Sequence, residues 1–209
     1  PILFTAGRTP VTESGADGAR SIFIHWGQEM FDQAGMLREM VKWDYELRNA
    51  SQLETVVDRA LTVAMTEPRG PVYLSLPREA LAESPDRFAY GPADAHRPAA
   101  SPAPSPAAIE EAADLLAGAE NPVVITSGLG LDRTTVPAFA TMVERFALPV
   151  VSFRPRYLNL PTDHPMHAGY DSAPFVKDAD VILVIDSDVP WIPDLMPANP
   201  DARVIHVGT

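Results

Sequence analysis

Residues 68–77 read Pro-Arg-Gly-Pro-Val-Tyr-Leu-Ser-Leu-Pro, and this short stretch gives the clearest indication of fold class in the chain. The Pro/Gly turn breaks the preceding helical pattern, and the run from Val72 to Leu76 predicts a short buried strand that Pro77 stops. Residues 51–66 carry apolar side chains at spacings of three and four, which predicts an amphipathic helix of about four turns. A helix that leads back into a buried strand is typical of α/β folds.

The residues around this helix and strand predict the rest of a first α/β segment. We expect a strand at 1–6, a loop at 7–25, a helix at 27–35, an extended segment at 39–45, a helix at 51–66 and a strand at 71–76. The first and last residues of the chain both have the apolar character of buried strands. Because a domain seldom starts or stops inside its sheet, we expect this chain to be an interior piece of a longer protein.

Residues 91–106 are predicted to be a linker, since five of these sixteen residues are proline. Prolines remove backbone donors and favour an extended path, so we expect a semi-rigid spacer. A recognition motif for a proline-binding module is the alternative reading of the same composition.

The second half of the chain alternates short apolar strands with helices. We expect helices at 107–117 and 135–147, strands at 123–126, 150–153, 181–185 and 204–207, and an irregular loop at 154–174. Short all-apolar strands between helices indicate a parallel sheet covered on both faces. The predicted fold class is therefore α/β, with two doubly wound parallel-sheet domains that are both incomplete.

Composition narrows the classes of partner. The 209 residues carry a formal net charge of −12, which argues against nucleic acid or an anionic membrane surface. No apolar run reaches the ~18 residues of a membrane span, and no signal peptide is evident at the N-terminus. The absence of cysteine excludes disulfides and thiolate chemistry and fits a cytoplasmic protein. The histidines have no convincing ligand spacing, so we predict no metal site.

The turn Gly128-Leu129-Gly130 could receive a phosphate, because it follows a predicted strand and precedes a predicted helix. It lacks the third glycine of the dinucleotide fingerprint, and Val151 and Ser152 occupy the place of its acidic residue. Glycines at such a turn often serve backbone geometry alone. Nucleotide binding at this turn therefore stays open.

Three motifs of the first segment, beside residues 68–77, carry a resemblance to a known family. They are Thr5-Ala-Gly-Arg-Thr-Pro10, His25-Trp-Gly-Gln-Glu29 and Lys42-Trp-Asp-Tyr45. Together they resemble the pyrimidine-binding domain of thiamine-diphosphate-dependent enzymes, in particular the acetolactate synthase large subunit and benzoylformate decarboxylase. The second half has the topology of the central domain of that family.

The resemblance implies a domain organisation and two candidate pocket residues. Residues 1–90 would be the C-terminal part of a pyrimidine-binding domain, 91–106 a Pro/Ala linker, and 107–209 a central α/β domain truncated at its C-terminus. In the synthases the matching Phe-Gln pair and lysine lie near the substrate channel, so Gln28 and Lys42 become substrate-pocket candidates. Gly27 replaces the phenylalanine. The alternative is that Lys42 is a solvated charge and Gln28 an exposed residue of a helical turn.

The family's cofactors are thiamine diphosphate and Mg²⁺, but their main ligands have no counterpart here. The activating glutamate of the family lies upstream of the matching segment, and the Mg²⁺ motif lies in a third domain. We therefore expect no catalytic residue, no metal ligand and no identifiable cofactor-binding residue in this chain, which by itself should be inactive. FAD is unlikely by the same comparison, since Asp186-Ser-Asp188 stands where flavin-bound members have glycine and arginines.

The implied parent protein is an enzyme that acts on 2-oxo acids. Decarboxylation with carboligation, as in acetolactate synthase, is the first expectation, and an aryl-2-oxo-acid decarboxylase like benzoylformate decarboxylase is the alternative. A non-catalytic α/β module that binds a nucleotide or a protein is the second alternative. The resemblance further implies a homodimer or homotetramer, with neither nucleic acid nor membrane as a partner.

Overall fold

A computed structural model describes residues 1–84, 91–92 and 97–208. The chain divides into two compact units, Pro1–Ser101 and Pro102–Thr209. Parts of the predicted pyrimidine segment and linker, residues 85–90 and 93–96, lie outside the described residues, as does Thr209.

The first unit is built on a three-stranded parallel sheet, sheet A. Its elements are β1 (Leu3–Arg8), α1 (Ile24–Gly27), a 3₁₀ turn (Ala34–Met36), β2 (Trp43–Glu46), a 3₁₀ turn (Ala50–Gln52), α2 (Leu53–Met65), β3 (Val72–Pro77) and α3 (Arg78–Ala82). The strand order is β1-β3-β2, so the strand predicted from residues 68–77 lies at the centre. Leu3 and Trp43 both pair with Val72, and the three strands therefore start at one edge.

Helix α2 covers one face of sheet A, as its amphipathic pattern predicts. Val56, Ala60 and Ala64 are buried against Val72 and Leu74 of the central strand. Small alanine side chains on the helix let it approach the sheet closely, and the larger strand residues fill the space between them. The buried apolar core of the first unit is this contact layer.

The predicted helix at 27–35 is wrong. Only α1 and the short 3₁₀ turn form in this region. Three polar side chains hold the segment in turns instead: Glu29 pairs with Arg20, Gln33 donates to the Tyr73 hydroxyl, and Asp32 accepts from the Gly35 amide. A helix of nine residues is marginal without tertiary support, and these contacts satisfy the polar groups without it.

The second unit contains a four-stranded parallel sheet, sheet B, of order β5-β4-β6-β7. Its elements are α4 (Pro106–Ala117), β4 (Pro122–Thr126), a 3₁₀ turn (Leu129–Leu131), α5 (Thr135–Arg145), β5 (Val150–Ser152), α6 (Ala173–Val176), β6 (Val181–Ile185) and β7 (Arg203–Val207). Apolar clusters lie on both faces, one against α5 and the other against α6. The α/β class with parallel sheets flanked by helices is thereby confirmed.

The order of strands in sheet B reverses at β4. The chain passes from β4 to β5 on one side and then crosses to β6 on the other side. Open α/β sheets bind ligands outside the carboxyl ends of their strands at such a point. This edge of sheet B and the corresponding edge of sheet A are therefore the places to look for a site. Among the described residues no helix has the length and apolar character needed to cross a membrane.

Candidate functional site

The loop after β1 returns over the carboxyl edge of sheet A. Thr12, in this loop, donates from its backbone amide to the Glu79 carboxylate at 2.8 Å and from its hydroxyl at 2.6 Å. On the same side the Arg78 guanidinium approaches the His25 ring at 3.3 Å. Arg78 and Glu79 directly follow the central strand β3. The segment 9–30 is thus fixed at the edge where parallel sheets bind ligands.

Arg20 is the central charged group of this segment, and its side chain is only 4% exposed. Its guanidinium contacts Glu29 at 2.6 Å and Glu13 at 3.4 Å, and it donates to the His25 carbonyl at 3.3 Å. The guanidinium also lies 5.6 Å from the centre of the Trp26 ring. The hydrogen bond to Glu29 raises the pKa of Arg20 above its ordinary value. Sequence reasoning missed Arg20, because an isolated arginine in a predicted loop carries no pattern.

Glu79 is a second buried charge at the same edge and was also missed. Burial by itself would raise the pKa of Glu79, but the hydrogen bonds from Thr12, together with those from backbone groups of Glu79 and Val11, outweigh it, and the pKa lies below the ordinary value. The second carboxylate oxygen, Oε2, is buried without a hydrogen-bond partner. The carboxylate therefore stays charged at neutral pH and ties the loop to the end of β3.

We expect the first unit to lose stability on acidification through Glu79. Since its pKa is lower in the folded state, the stabilisation is present above the ordinary glutamate pKa of about 4.3 and is lost as pH falls through the folded value. Glu79→Gln should cost about 1 kcal/mol at pH 7 and much less at pH 3, as measured by urea unfolding. Exposed Glu39 provides the control Glu39→Gln, which should be neutral at both pH values. Equal costs of Glu79→Gln at the two pH values would contradict this role.

The structure does not bring the two predicted pocket residues together. Gln28 is exposed, follows α1 directly, and belongs to the segment at the carboxyl edge of sheet A. Lys42 lies at the opposite, amino edge, where its backbone amide donates to Pro71 just before β3 begins. The Lys42 ammonium donates to the carbonyls of Thr66 and Pro68 at 2.6 and 2.9 Å. The two residues therefore lie at opposite edges of the sheet, whose central strand of six residues spans about 20 Å.

A crevice of about 240 Å³ lies at the carboxyl edge of sheet B. It is lined by Ser127, Phe153, Arg154, Arg156, Ser187, Asp188, Val189 and Ile192, which follow β4, β5 and β6. The two serine hydroxyls are 2.8 Å apart at its base, and the Arg156 guanidinium is 3.5 Å from the Asp188 carboxylate. The charge at this edge is therefore mixed. Arg154 and Arg156 thus accompany the acidic residues on which the prediction from sequence rests.

The glycine turn of sheet B is buried and packed within the chain. Residues 127–130 are buried, and two of the turn's amides and the next one along the chain donate within the chain: Leu129 to Thr126 Oγ1, Gly130 to Asn159 Oδ1 and Leu131 to the Gly128 carbonyl. A side chain at position 130 would lie 2.0 Å from the Leu158 carbonyl oxygen. The absence of a side chain lets Gly130 pack closely against the loop after β5 and Gly128 against Asp186, which follows β6.

Comparison with known proteins gives a family match for the second unit. The family described as thiamine pyrophosphate enzyme, central domain, matches residues 109–209. Sulfoacetaldehyde acetyltransferase of Rhodobacter capsulatus is 27% identical over 85% of this chain and 30% of its own length. Acetolactate synthase isozyme 1 large subunit of Escherichia coli is 25% identical over 99% of this chain and 36% of its own length, so the similarity extends through both units. Residues 109–209 match the central domain of thiamine pyrophosphate enzymes, and the similarity to curated members of that family runs through both units.

Solved structures of thiamine-diphosphate-dependent enzymes share the fold. The 4-hydroxybenzoylformate decarboxylase of Rhodococcus jostii superposes with a TM-score of 0.73 at 23% identity, over 99% of this chain and 39% of the other. Benzoylformate decarboxylase of Polynucleobacter necessarius gives 0.74 at 22% identity, over 98% of this chain and 38% of the other. The chain spans about a third of the length of the curated relatives quoted above.

The matching family is described by its cofactor, thiamine pyrophosphate. Within the described residues, no group of three or more His, Cys, Asp or Glu side chains is arranged to hold a metal ion. A diphosphate held through Mg²⁺ needs hard oxygen ligands in octahedral geometry. The described residues do not fit a Mg²⁺-bound diphosphate, and we assign no cofactor ligand among them.

Proposed function

We propose that these residues are part of a longer thiamine-diphosphate-dependent enzyme that decarboxylates a 2-oxo acid and transfers the remaining carbon unit to a second carbonyl compound. The observation that carries the proposal is the similarity of both units to the family, with an acetolactate synthase aligned over 99% of the chain. In such an enzyme the cofactor supplies the electron sink, and the protein supplies binding and orientation.

The alternative reaction is simple decarboxylation of an aryl 2-oxo acid. It is supported by the resemblance of residues 155–165 to benzoylformate decarboxylase. The two reactions differ in the fate of the carbanion on the cofactor, which is protonated in one and added to a carbonyl in the other. Product analysis therefore distinguishes them.

We propose the following organisation for the full-length enzyme. Residues 1–90 form the C-terminal part of the pyrimidine domain, 91–106 the linker and 107–209 the central domain. Other parts of the full-length chain hold thiamine diphosphate through Mg²⁺. The enzyme is at least a homodimer, and a monomeric mass with full activity in light scattering would overturn this point.

The experiment is to incubate the full-length protein with thiamine diphosphate and Mg²⁺ and to supply pyruvate or benzoylformate. Formation of acetolactate from pyruvate supports carboligation, and release of benzaldehyde supports the alternative. The release of CO₂ should require thiamine diphosphate in both cases. A protein that binds thiamine diphosphate and releases no CO₂ from either acid would refute both reactions.

We propose that the central domain binds no flavin. The crevice of about 240 Å³ is below the roughly 300–1,000 Å³ of sites for drug-sized ligands, and the Leu129 and Gly130 amides of the glycine turn already donate within the chain. The full-length enzyme should purify colourless, and added FAD should leave its activity unchanged. A yellow preparation with the visible absorption of bound flavin would contradict this proposal.

We propose Gln28 as a residue that contacts the substrate, with Lys42 as the second candidate. Replacing a hydrogen-bonding side chain at a pocket costs about 0.5–1.5 kcal/mol, so Gln28→Ala should raise KM about two- to tenfold in the full-length enzyme. Lys42→Met is the comparison, because the Lys42 ammonium is occupied by two backbone carbonyls. Lys42→Met should lower the melting temperature, because it removes these contacts between α2 and β3. A rise in KM would show that Lys42 also contacts the substrate. An unchanged KM in Gln28→Ala would remove Gln28 from the pocket.

A further inference from the structure

The contacts of Arg20 converge on one short turn of the chain. Helix α1 has four residues and no side-chain hydrogen bond at its N-cap, so its own backbone bonds cannot hold it in place. The Arg20 guanidinium reaches the carbonyl of His25, the ring of Trp26 and the carboxylate of Glu29. One buried side chain thus contacts the turn in its middle and just beyond its end.

Gln28 lies between two of these anchored residues. Trp26 is held from both sides, since its ring faces Arg20 and its indole N–H donates to Glu13 at 3.1 Å. The Gln28 amide closes the helix by donating to the Ile24 carbonyl at 2.9 Å. Because Trp26 and Glu29 are both fixed, the backbone of Gly27 and Gln28 between them has little freedom. The direction of the Gln28 side chain therefore depends on the Arg20 cluster.

We propose that Arg20 is a positioning residue that fixes the α1 turn and presents Gln28 to the substrate. The inference rests on the proposed function, in which Gln28 contacts the substrate. Arg20 itself touches neither substrate nor cofactor, because its side chain is 4% exposed. Its effect on the reaction must therefore pass through the residues that it holds.

A lysine cannot replace this arginine. The planar guanidinium donates in several fixed directions and stacks on a ring, whereas the ammonium of lysine is a compact charge at the end of a flexible chain. Arg20→Lys keeps the positive charge beside Glu13 and Glu29 and removes the fork geometry. It is therefore a milder change for folding than the loss of a buried charge. Glu29→Gln is the second variant, since it keeps the shape of the partner and weakens the ion pair.

The test is a double-mutant cycle between Arg20→Lys and Gln28→Ala in the full-length enzyme. If Arg20 acts through Gln28, Arg20→Lys raises KM by no more than Gln28→Ala does and has no further effect once Gln28 is absent. Glu29→Gln should follow the same pattern. Arg38→Lys is the matched control, because Arg38 also pairs with two carboxylates, Asp32 and Asp44, but is half exposed; its KM should equal that of the wild type.

Hydrogen exchange of a peptide covering residues 21–30 gives a readout that needs no activity. Arg20→Lys should accelerate exchange there and Arg38→Lys should not. Unchanged exchange in Arg20→Lys, or KM effects that multiply independently in the cycle, would overturn the inference. A protein without thiamine-diphosphate-dependent turnover would overturn the proposed function instead, and the exchange measurement would still show whether Arg20 fixes the turn.

Discussion

Replacing Gly130 by alanine should destabilise the second unit by about 3 kcal/mol or more. The new Cβ would lie 2.0 Å from the carbonyl oxygen and 2.7 Å from the carbonyl carbon of Leu158. Both atoms belong to the backbone, so no side-chain rotation can relieve the overlap. The backbone itself cannot withdraw easily, because the Gly130 amide is bonded at 3.0 Å to Asn159, a residue that is 1% exposed.

Gly118→Ala is the matched control in the same unit. Gly118 ends α4 at a φ of −89°, and a Cβ there would lie at an ordinary 3.4 Å from the Asp114 carbonyl oxygen. We expect a change within about 0.5 kcal/mol. Hydrogen exchange of the peptide covering β4 measures the local stability of the second unit in both variants. Equal protection in Gly130→Ala and Gly118→Ala would show that the loop after β5 can move away from the turn.

Leu74→Ala should destabilise the first unit by about 2–5 kcal/mol. Leu74 is 1% exposed at the centre of β3, where it packs against Ala60 and Ala64 of α2. The small helix residues cannot expand into the space that a shortened side chain leaves, so a cavity would remain. Neighbouring strands pair with β3 on both sides, which further limits any collapse of the site.

Leu61→Ala tests the same chemical change at a surface position. Leu61 lies on the outer side of α2 and is 46% exposed, so we expect a cost within about 0.5 kcal/mol. Hydrogen exchange of the β3 peptide should accelerate strongly in Leu74→Ala and little in Leu61→Ala. Because the second unit has its own core, protection of its β4 peptide should be the same in both variants. Similar losses at the two positions would mean that the first unit has no single close-packed core.

The first unit contains two buried charged residues, Arg20 and Glu79, in addition to its apolar core. Both charges are buried at the carboxyl edge of sheet A, and both hold the loop that carries Gln28. Breaking a buried ion pair from one side costs more than the pair contributes, because the remaining charge is left without compensation. We propose that these contacts hold the loop so that Gln28 is positioned for a substrate.

The amino-acid sequence by itself determined the regular elements whose pattern is local and repeated. Helix α2 follows from its apolar spacing, and the strands of sheet B follow from short apolar runs, with β6 predicted at the residues where it forms. The parallel α/β class follows from the alternation of these elements along the chain. The family resemblance was also readable, because its motifs are contiguous in the chain.

Only the tertiary structure decided what the polar residues do. The segment 27–35 forms turns because Glu29 and Gln33 contact residues outside the segment, Arg20 and Tyr73. No local pattern encodes these contacts. The same reason applies to the Gly130 amide, which donates to Asn159, and to the Lys42 ammonium, which donates to backbone carbonyls. Apolar periodicity is a property of neighbours along the chain, whereas the pairing of a buried charge depends on which loops the fold brings to one edge of the sheet.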